Sequence, residues 1–173
     1  MSITSSVLTL RRRLLKLTET LSGLAPLLIR ITVGVVFLRT GWGKLSDLPQ
    51  VTEYFASLGI PMPGINAAVA ASVEFFGGIL ILVGLGARLV ALPMAFTMVV
   101  AIITAKREEI QGVLSILGFD ECAYLVMFVT IVLIGAGPFS LDALIARRLR
   151  AGGESAAPPR PVLHPETSTA PQS

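Results

Sequence analysis

The sequence predicts an all-α membrane protein: a four-transmembrane-helix bundle with short amphipathic interfacial helices. Three observations carry this. First, 53% of the 173 residues are hydrophobic and only 14% are charged, against about a quarter charged in an ordinary soluble domain. The mean hydropathy is accordingly +0.78. Second, the apolar residues gather into four runs, 24–40, 67–84, 89–105 and 123–137. With its flanks each approaches the roughly 20 residues that a helix needs to cross a hydrocarbon core of about 30 Å. Third, none of the runs alternates with period two, and a backbone in lipid must satisfy its polar groups within the segment, so helices are expected rather than strands.

Three segments follow from that pattern. Residues 1–23 form a basic amphipathic N-terminal segment. Val7, Leu10, Leu14, Leu17 and Leu21 recur at helical spacing, with Arg11, Arg12, Arg13 and Lys16 on other faces. That suits a helix lying on a membrane surface; a disordered tail is the alternative. The following "LTETLSGLA" is too polar for the apolar core of a secretory signal. Residues 24–145 form the four-helix transmembrane domain. Residues 146–173 are a tail, basic at first, then rich in Pro, Ser and Thr, and expected to be disordered.

Within the transmembrane domain, the first connection has a pattern of its own. Leu48, Val51, Phe55 and Leu58 line one face of a short helix that Ser46 or Asp47 would cap and Gly59 would stop. The prolines of "IPMPG" then turn the chain into the second run. The "LGAR" link between the second and third runs is so short that these helices must be antiparallel neighbours. With four spans, one side carries Arg11, Arg12, Arg13, Lys16, Arg88, Arg147, Arg148, Arg150 and Arg160. The other carries Arg39, Lys44, Lys106 and Arg107. The excess places both termini of this multi-pass chain in the cytoplasm.

Charges inside the apolar runs are the candidate functional residues. "NAAVAASVEFFGGILILVGLG", residues 66–86, holds one formal charge, Glu74. An ionised group at a helix centre costs roughly 2.5–3.5 kcal/mol on insertion scales, so it should face the bundle interior and find a partner. Ala67, Ala70, Gly77, Gly78 and Ile81 share its face, and small residues there admit a neighbouring helix. Arg30, Gly34, Gly41 and Lys44 share a face of the first run. Either Arg30 or Lys44 can be the partner, while Arg39 lies opposite and reaches for headgroups. Glu121 and Tyr124 open the fourth run at the level of Lys44 and Trp42. The candidate polar network is therefore Arg30, Lys44, Glu74, Glu121 and Tyr124, with Gly34, Gly41, Gly77 and Gly78 as close-packing positions. A small ligand pocket and a structural ion-pair network that fixes helix register are both consistent with this set.

The chemistry that is missing narrows the function. Cys122 is the one cysteine, so no internal disulfide or dithiol forms, and as a lone cysteine opening an apolar helix it reads as a packing residue. His164 is the one histidine and lies in the tail, so no bis-His haem or histidine metal site can be built in the spans. No catalytic residue and no metal site is assigned, and nothing marks the chain as an enzyme. No feature points to nucleic acid.

Four stretches together resemble the DoxX family. "LLIRITVGVVFLRTGWGKL" resembles its first-helix signature and "YFASLGIPMPG" the following loop. "VEFFGGILILVGLGARLVAL" resembles the second-helix core, and "GFDECAYLVMFVTIVLIGAGPFSLDAL" resembles the ending. The likeness runs from about residue 24 to 144. Arg30, Gly41, Lys44, Glu74, Arg88, Glu121 and Asp142 are the matching polar or glycine positions. Where many members carry a His in the first helix, this chain has Thr40, so a role for that His does not carry over. The resemblance implies a four-helix inner-membrane protein associated with quinone-linked thiosulfate oxidation and oxidative-stress complexes. The expected function is a non-catalytic accessory subunit of such a complex, with redox proteins and the lipid bilayer as partners and a quinone as the candidate ligand. A homo-oligomer is a further candidate assembly. The alternative is a small proton-coupled transporter working through Glu74.

Overall fold

The computed structural model describes residues 21–155, together with Val7 and Arg11. The rest of the N-terminal amphipathic segment and the tail beyond residue 155 lie outside the described residues. Helix α1 spans Leu24–Ser46, α2 Leu48–Ser57, α3 Pro63–Val83 and α4 Ala87–Thr104. A 3-10 turn at Arg107–Glu109 and the short α5, Val113–Leu117, lead to α6, Asp120–Ile134, and α7, Leu141–Ser155. Among the described residues there is no strand.

Three helices, α1, α3 and α4, are long and apolar enough to cross a membrane. The fourth apolar run becomes α6, whose 15 residues rise about 22 Å at 1.5 Å each. It stops short because Gly135 and Gly137 take left-handed backbone angles, φ +82° and +76°, and Pro138 follows. No right-handed helix continues through such a sequence.

Local signals place the other breaks. Asp47 Oδ1 accepts from the Gln50 amide at 3.2 Å, capping α2 with Pro49 in its first turn, where an amide is dispensable. Leu48, Val51, Phe55 and Leu58 are each half-buried, and α2 packs along the start of α3. Helix α3 ends at Gly84, φ +74°, where the amides of Gly84 and Leu85 both return to the Leu80 carbonyl at 2.9 and 3.0 Å. A left-handed glycine closes a helix in this way because it has no Cβ to strain. The turn to α4 is only three residues long, so α3 and α4 are antiparallel.

Two helix pairs build the bundle, α1 on α3 and α4 on α6. Glycine sets the first pair. A Cβ on Gly78 would meet the Leu38 backbone nitrogen at 2.6 Å, one on Gly34 would meet Leu82 Cβ at 2.9 Å, and one on Gly41 would overlap the backbone of Phe75. Backbones in direct contact are what small residues achieve in membrane packing, where water supplies no drive to associate. Gly77 faces the other way and leaves room for Met94 of α4. Phe37 joins the pairs, edge-on to Tyr124 and Phe128 at ring separations of 5.3 and 5.0 Å. The buried core is thin, built round Val33, Phe37, Ile81, Met94, Phe128 and Ile131. Outside it, Leu89, Leu92, Phe96, Val99 and Ile103 of α4 form an exposed apolar stripe, suited to lipid rather than water.

Candidate functional site

Two polar centres lie on α1, fourteen residues apart, about 21 Å along the axis. At the end where α1 meets α2, Glu74 of α3 is 3% exposed. Lys44 Nζ lies 2.5 Å from its Oε1, and the Thr40 hydroxyl lies 3.3 Å from its Oε2. Thr40 Oγ1 is equally 3.3 Å from the Phe37 carbonyl, so its one proton is divided between two acceptors. The site is local in origin. Thr40 and Lys44 are one turn apart on α1, and Gly41 between them brings α3 close enough for Glu74 to reach both. The Lys44 side chain is 35% exposed, so the ammonium, with three donors and one committed to Glu74, opens outward. At the same level of the two helices Trp42 and Phe75 pack with ring centroids 5.7 Å apart, and Trp42 is itself exposed.

At the opposite end, around Gly84, Arg30 is 1% exposed and, among the described residues, forms no ion pair. Its Nε donates to the Ile81 carbonyl at 2.8 Å and its Nη2 to Leu82 at 2.7 Å. Its Nη1 donates to Ala136 and Phe139, both at 2.9 Å. A cation at the end of α3 meets the carbonyls of its last turn, where helical amides run out, at the negative pole of the helix dipole; of these, Ile81 O also accepts from the Gly84 amide at 3.1 Å. Gly84 is required twice here: for its backbone angle, and because a Cβ would run into the Arg30 guanidinium. Asp142 completes the complementary half. Its carboxylate accepts from the amides of Gly86 and Ala87 at 2.8 and 3.3 Å, while its own amide donates to Gly84 O at 3.0 Å. An anion thus caps the positive start of α4, while Arg30 caps the negative end of α3. Arg88 reaches Leu133 O at 3.4 Å beside Gly135.

The structure therefore pairs Glu74 with Lys44 and gives Arg30 to backbone carbonyls. Glu121 and Tyr124 stand on α6. Among the described residues, no hydrogen bond or ion pair joins either of them to Glu74 or Lys44; Tyr124 reaches the region only through its ring contact with Phe37. Gly34, Gly41 and Gly78 lie in the α1–α3 contact and Gly77 against α4. Thr40 and the capping role of Asp142 were not singled out from sequence. Thr40 could have been found from its i, i+4 spacing to Lys44. The acceptors of Arg30 carry no side-chain signature, although the four glycines at 84, 86, 135 and 137 mark the loops that present them. Among the described residues, no three His, Cys, Asp or Glu side chains gather to hold a metal ion.

Outside the spans, Lys106 is hydrogen-bonded to Glu109 at 3.0 Å and lies 5.5 Å over the Phe119 ring. The bond to Glu109 and that group's charge hold the ammonium above its ordinary pKa.

Comparison with known proteins fits this geometry. The DoxX family profile matches residues 25–107, a stretch that contains Arg30, Thr40, Lys44 and Glu74. "Putative oxidoreductase CatD" of Bacillus subtilis is 30% identical over 135 residues, covering 77% of this chain and 96% of that protein. "Inner membrane protein YqjF" of Escherichia coli is 28% identical over 129 residues, covering 74% and 97%. "Uncharacterized membrane protein Rv3486" of Mycobacterium tuberculosis is 32% identical over 136 residues, covering 72% and 83%. No solved structure matches the chain. Three apolar helices of spanning length, an acid–base pair with a buried carboxylate between the first two of them, and relatives matched over most of their length lead to one assignment: this membrane protein belongs to the DoxX family.

Proposed function

We propose that the protein is a non-catalytic accessory subunit of a redox or oxidative-stress-related complex in the cell inner membrane, and that it holds a quinone or another lipophilic ligand at Lys44, Thr40 and Glu74. The observation that carries the reading is the asymmetry of the pair: Glu74 is buried with both oxygens engaged, while Lys44 is partly exposed with donors to spare. A carbonyl oxygen arriving from the lipid side can take one of those donors without disturbing the carboxylate. Trp42 and Phe75, at the same level of the two helices, supply flat apolar surface for a ring. The name of the CatD relative accords with a redox setting. Electron transfer would belong to the partner proteins, since the chain has one cysteine and one histidine.

The same reading makes α6 a fourth crossing. It is antiparallel to α4 and runs nearly its whole length, from the Lys106–Phe119 contact to the Arg88–Leu133 hydrogen bond. Four crossings put both termini on one side, and the arginine excess makes that side the cytoplasm.

The test is gentle purification of the tagged protein from its native membranes, followed by mass spectrometry of the proteins and lipophilic small molecules retained. A reproducible redox partner or quinone, lost in Glu74→Gln and Lys44→Gln variants that still insert and fold, is the expected result. Retention of the same molecules by both variants would refute the site. A protein that carries nothing and instead moves protons against a substrate in liposomes, through Glu74, would replace the reading with that of a proton-coupled transporter.

A further inference from the structure

The Gly84 end carries a second feature, separate from the Lys44 site. A shallow groove of about 320 Å³ opens between the last turn of α3 and the start of α7, lined by Val83, Pro138, Phe139, Leu141, Leu144 and Arg147. Val83, Phe139, Leu141 and Leu144 are substantially exposed, so the lining is apolar at the level where a spanning helix ends. Arg147 is exposed, and among the described residues it has no acidic partner. Helix α7 continues the pattern: Leu141, Leu144, Ile145 and Leu149 are exposed apolar residues beside exposed Arg147, Arg148 and Arg150. Asp142, the one acid on its first ten residues, is spent on the amides of Gly86 and Ala87. That bond also fixes the helix against the bundle, so the groove has a rigid wall.

We infer that this groove seats an anionic phospholipid, with the lipid phosphate on Arg147 and the first acyl carbons along Val83, Phe139 and Leu144. Two requirements of such a lipid meet here. A guanidinium binds phosphate oxygens in a fork of parallel donors, and a basic amphipathic helix at the membrane boundary draws anionic headgroups from its leaflet. A soluble anion would use only the arginine and gain nothing from four apolar neighbours, so the apolar lining decides for lipid over free phosphate.

The experiment uses the full chain, exchanged into equal amounts of phosphatidylglycerol and phosphatidylcholine of the same acyl chains and analysed by native mass spectrometry. The expected result is preferential retention of phosphatidylglycerol. Arg147→Gln should lower that retention more than about five-fold, because it removes the phosphate's forked donor as well as the general attraction of one basic residue, while Arg150→Gln, outside the groove, loses only the general attraction and changes it less. Equal retention of the two lipids, or equal losses in the two variants, would overturn the site. Displacement of the lipid by inorganic phosphate at matched concentration would overturn its identity as a lipid site. Arg147 is exposed and makes no described bond, so both variants should keep the wild-type thermal midpoint. The readout involves no redox partner and stands whether or not the Lys44 site binds a quinone.

Discussion

The two polar centres on α1 solve one problem, a charge inside an apolar bundle, in opposite ways. At the Gly84 end the cation is enclosed and, among the described residues, every hydrogen bond of Arg30 goes to a backbone carbonyl of a helix end or turn. At the other end the anion is enclosed, and its cation stands at the rim with a third of its surface open. The first arrangement leaves Arg30 little capacity for anything outside the chain, because four donors are bonded and Gly84 closes over the guanidinium. The second leaves Lys44 with unused donors. Burial with its donors bonded suits Arg30 to fastening, and the open side of Lys44 is what the proposed function takes as a ligand site. Of the network expected from sequence, Arg30 and the Lys44–Glu74 pair thus stand in two separate centres, with Glu121 and Tyr124 bonded to neither among the described residues.

The largest expected effect breaks the fastener. Arg30→Met should leave the carbonyls of Leu82, Ala136 and Phe139 without their donor, while Ile81 keeps the Gly84 amide at 3.1 Å, and should cost at least about 3 kcal/mol, since each unsatisfied buried group costs about 1–3. Expression and thermal unfolding in detergent would register it, and Arg30→Lys should not rescue, because an ammonium lacks the planar fork. A variant as stable as the parent would show that the carbonyls find other partners and that the comparison drawn above is mistaken.

Next comes the contact that brings the helices to the open site. Gly41→Ala should push α1 from α3, because the new methyl overlaps the Phe75 backbone, at about 1–3 kcal/mol for overpacking. It should weaken the reach of Lys44 and Thr40 to Glu74 together. Gly43→Ala, two residues on and with nothing within 4 Å of its Cβ position, is the control that should leave stability within about 0.5 kcal/mol.

Glu74→Gln should be milder than Arg30→Met, about 1–2 kcal/mol, because Lys44 is partly hydrated and a solvent-reachable partner loses less when its mate is neutralised. Differential scanning of the three proteins in one detergent would order them. A Glu74→Gln protein less stable than Arg30→Met would reverse the assignment of fastener and site.

The smallest effect lies outside both centres. Glu109 raises the pKa of Lys106 in the folded protein, so the pair's stabilisation is present below the unfolded value near 10.4 and is lost as pH rises through the folded value. The thermal midpoints of wild type and Lys106→Met should therefore differ slightly at pH 9 and converge as the pH is raised through the folded value. High salt should shrink the same difference. A gap that widens with pH would mean that another group controls it.

Much of this was legible in the sequence because length and hydropathy are cumulative signals. The helices Leu24–Ser46, Pro63–Val83 and Ala87–Thr104 follow runs too long and too apolar to be otherwise, and Leu48, Val51, Phe55 and Leu58 mark α2 by spacing. The fourth run misled in extent, because 123–137 counts Gly135, Ala136 and Gly137 as apolar when the two glycines end the helix. Burial of Glu74 followed from its surroundings, but its choice of Lys44 over Arg30 depends on the level at which α1 crosses α3, which Gly34, Gly41 and Gly78 fix only in three dimensions. The partners of Arg30 were invisible for a simpler reason: every residue has a carbonyl, and no side-chain pattern says which will be left over.

The arginine fastener also has a consequence in time. Arg30 leaves the ribosome 51 residues before Ile81, and 106 and 109 residues before Ala136 and Phe139. Until the loop after α6 has been made, the first helix sits in the bilayer with a cation only half provided for. A nascent chain that stops short of residue 139 lacks the acceptors that retire that charge, and offers quality-control proteases a membrane helix marked as unfinished. The last acceptor to be synthesised therefore certifies the first helix inserted.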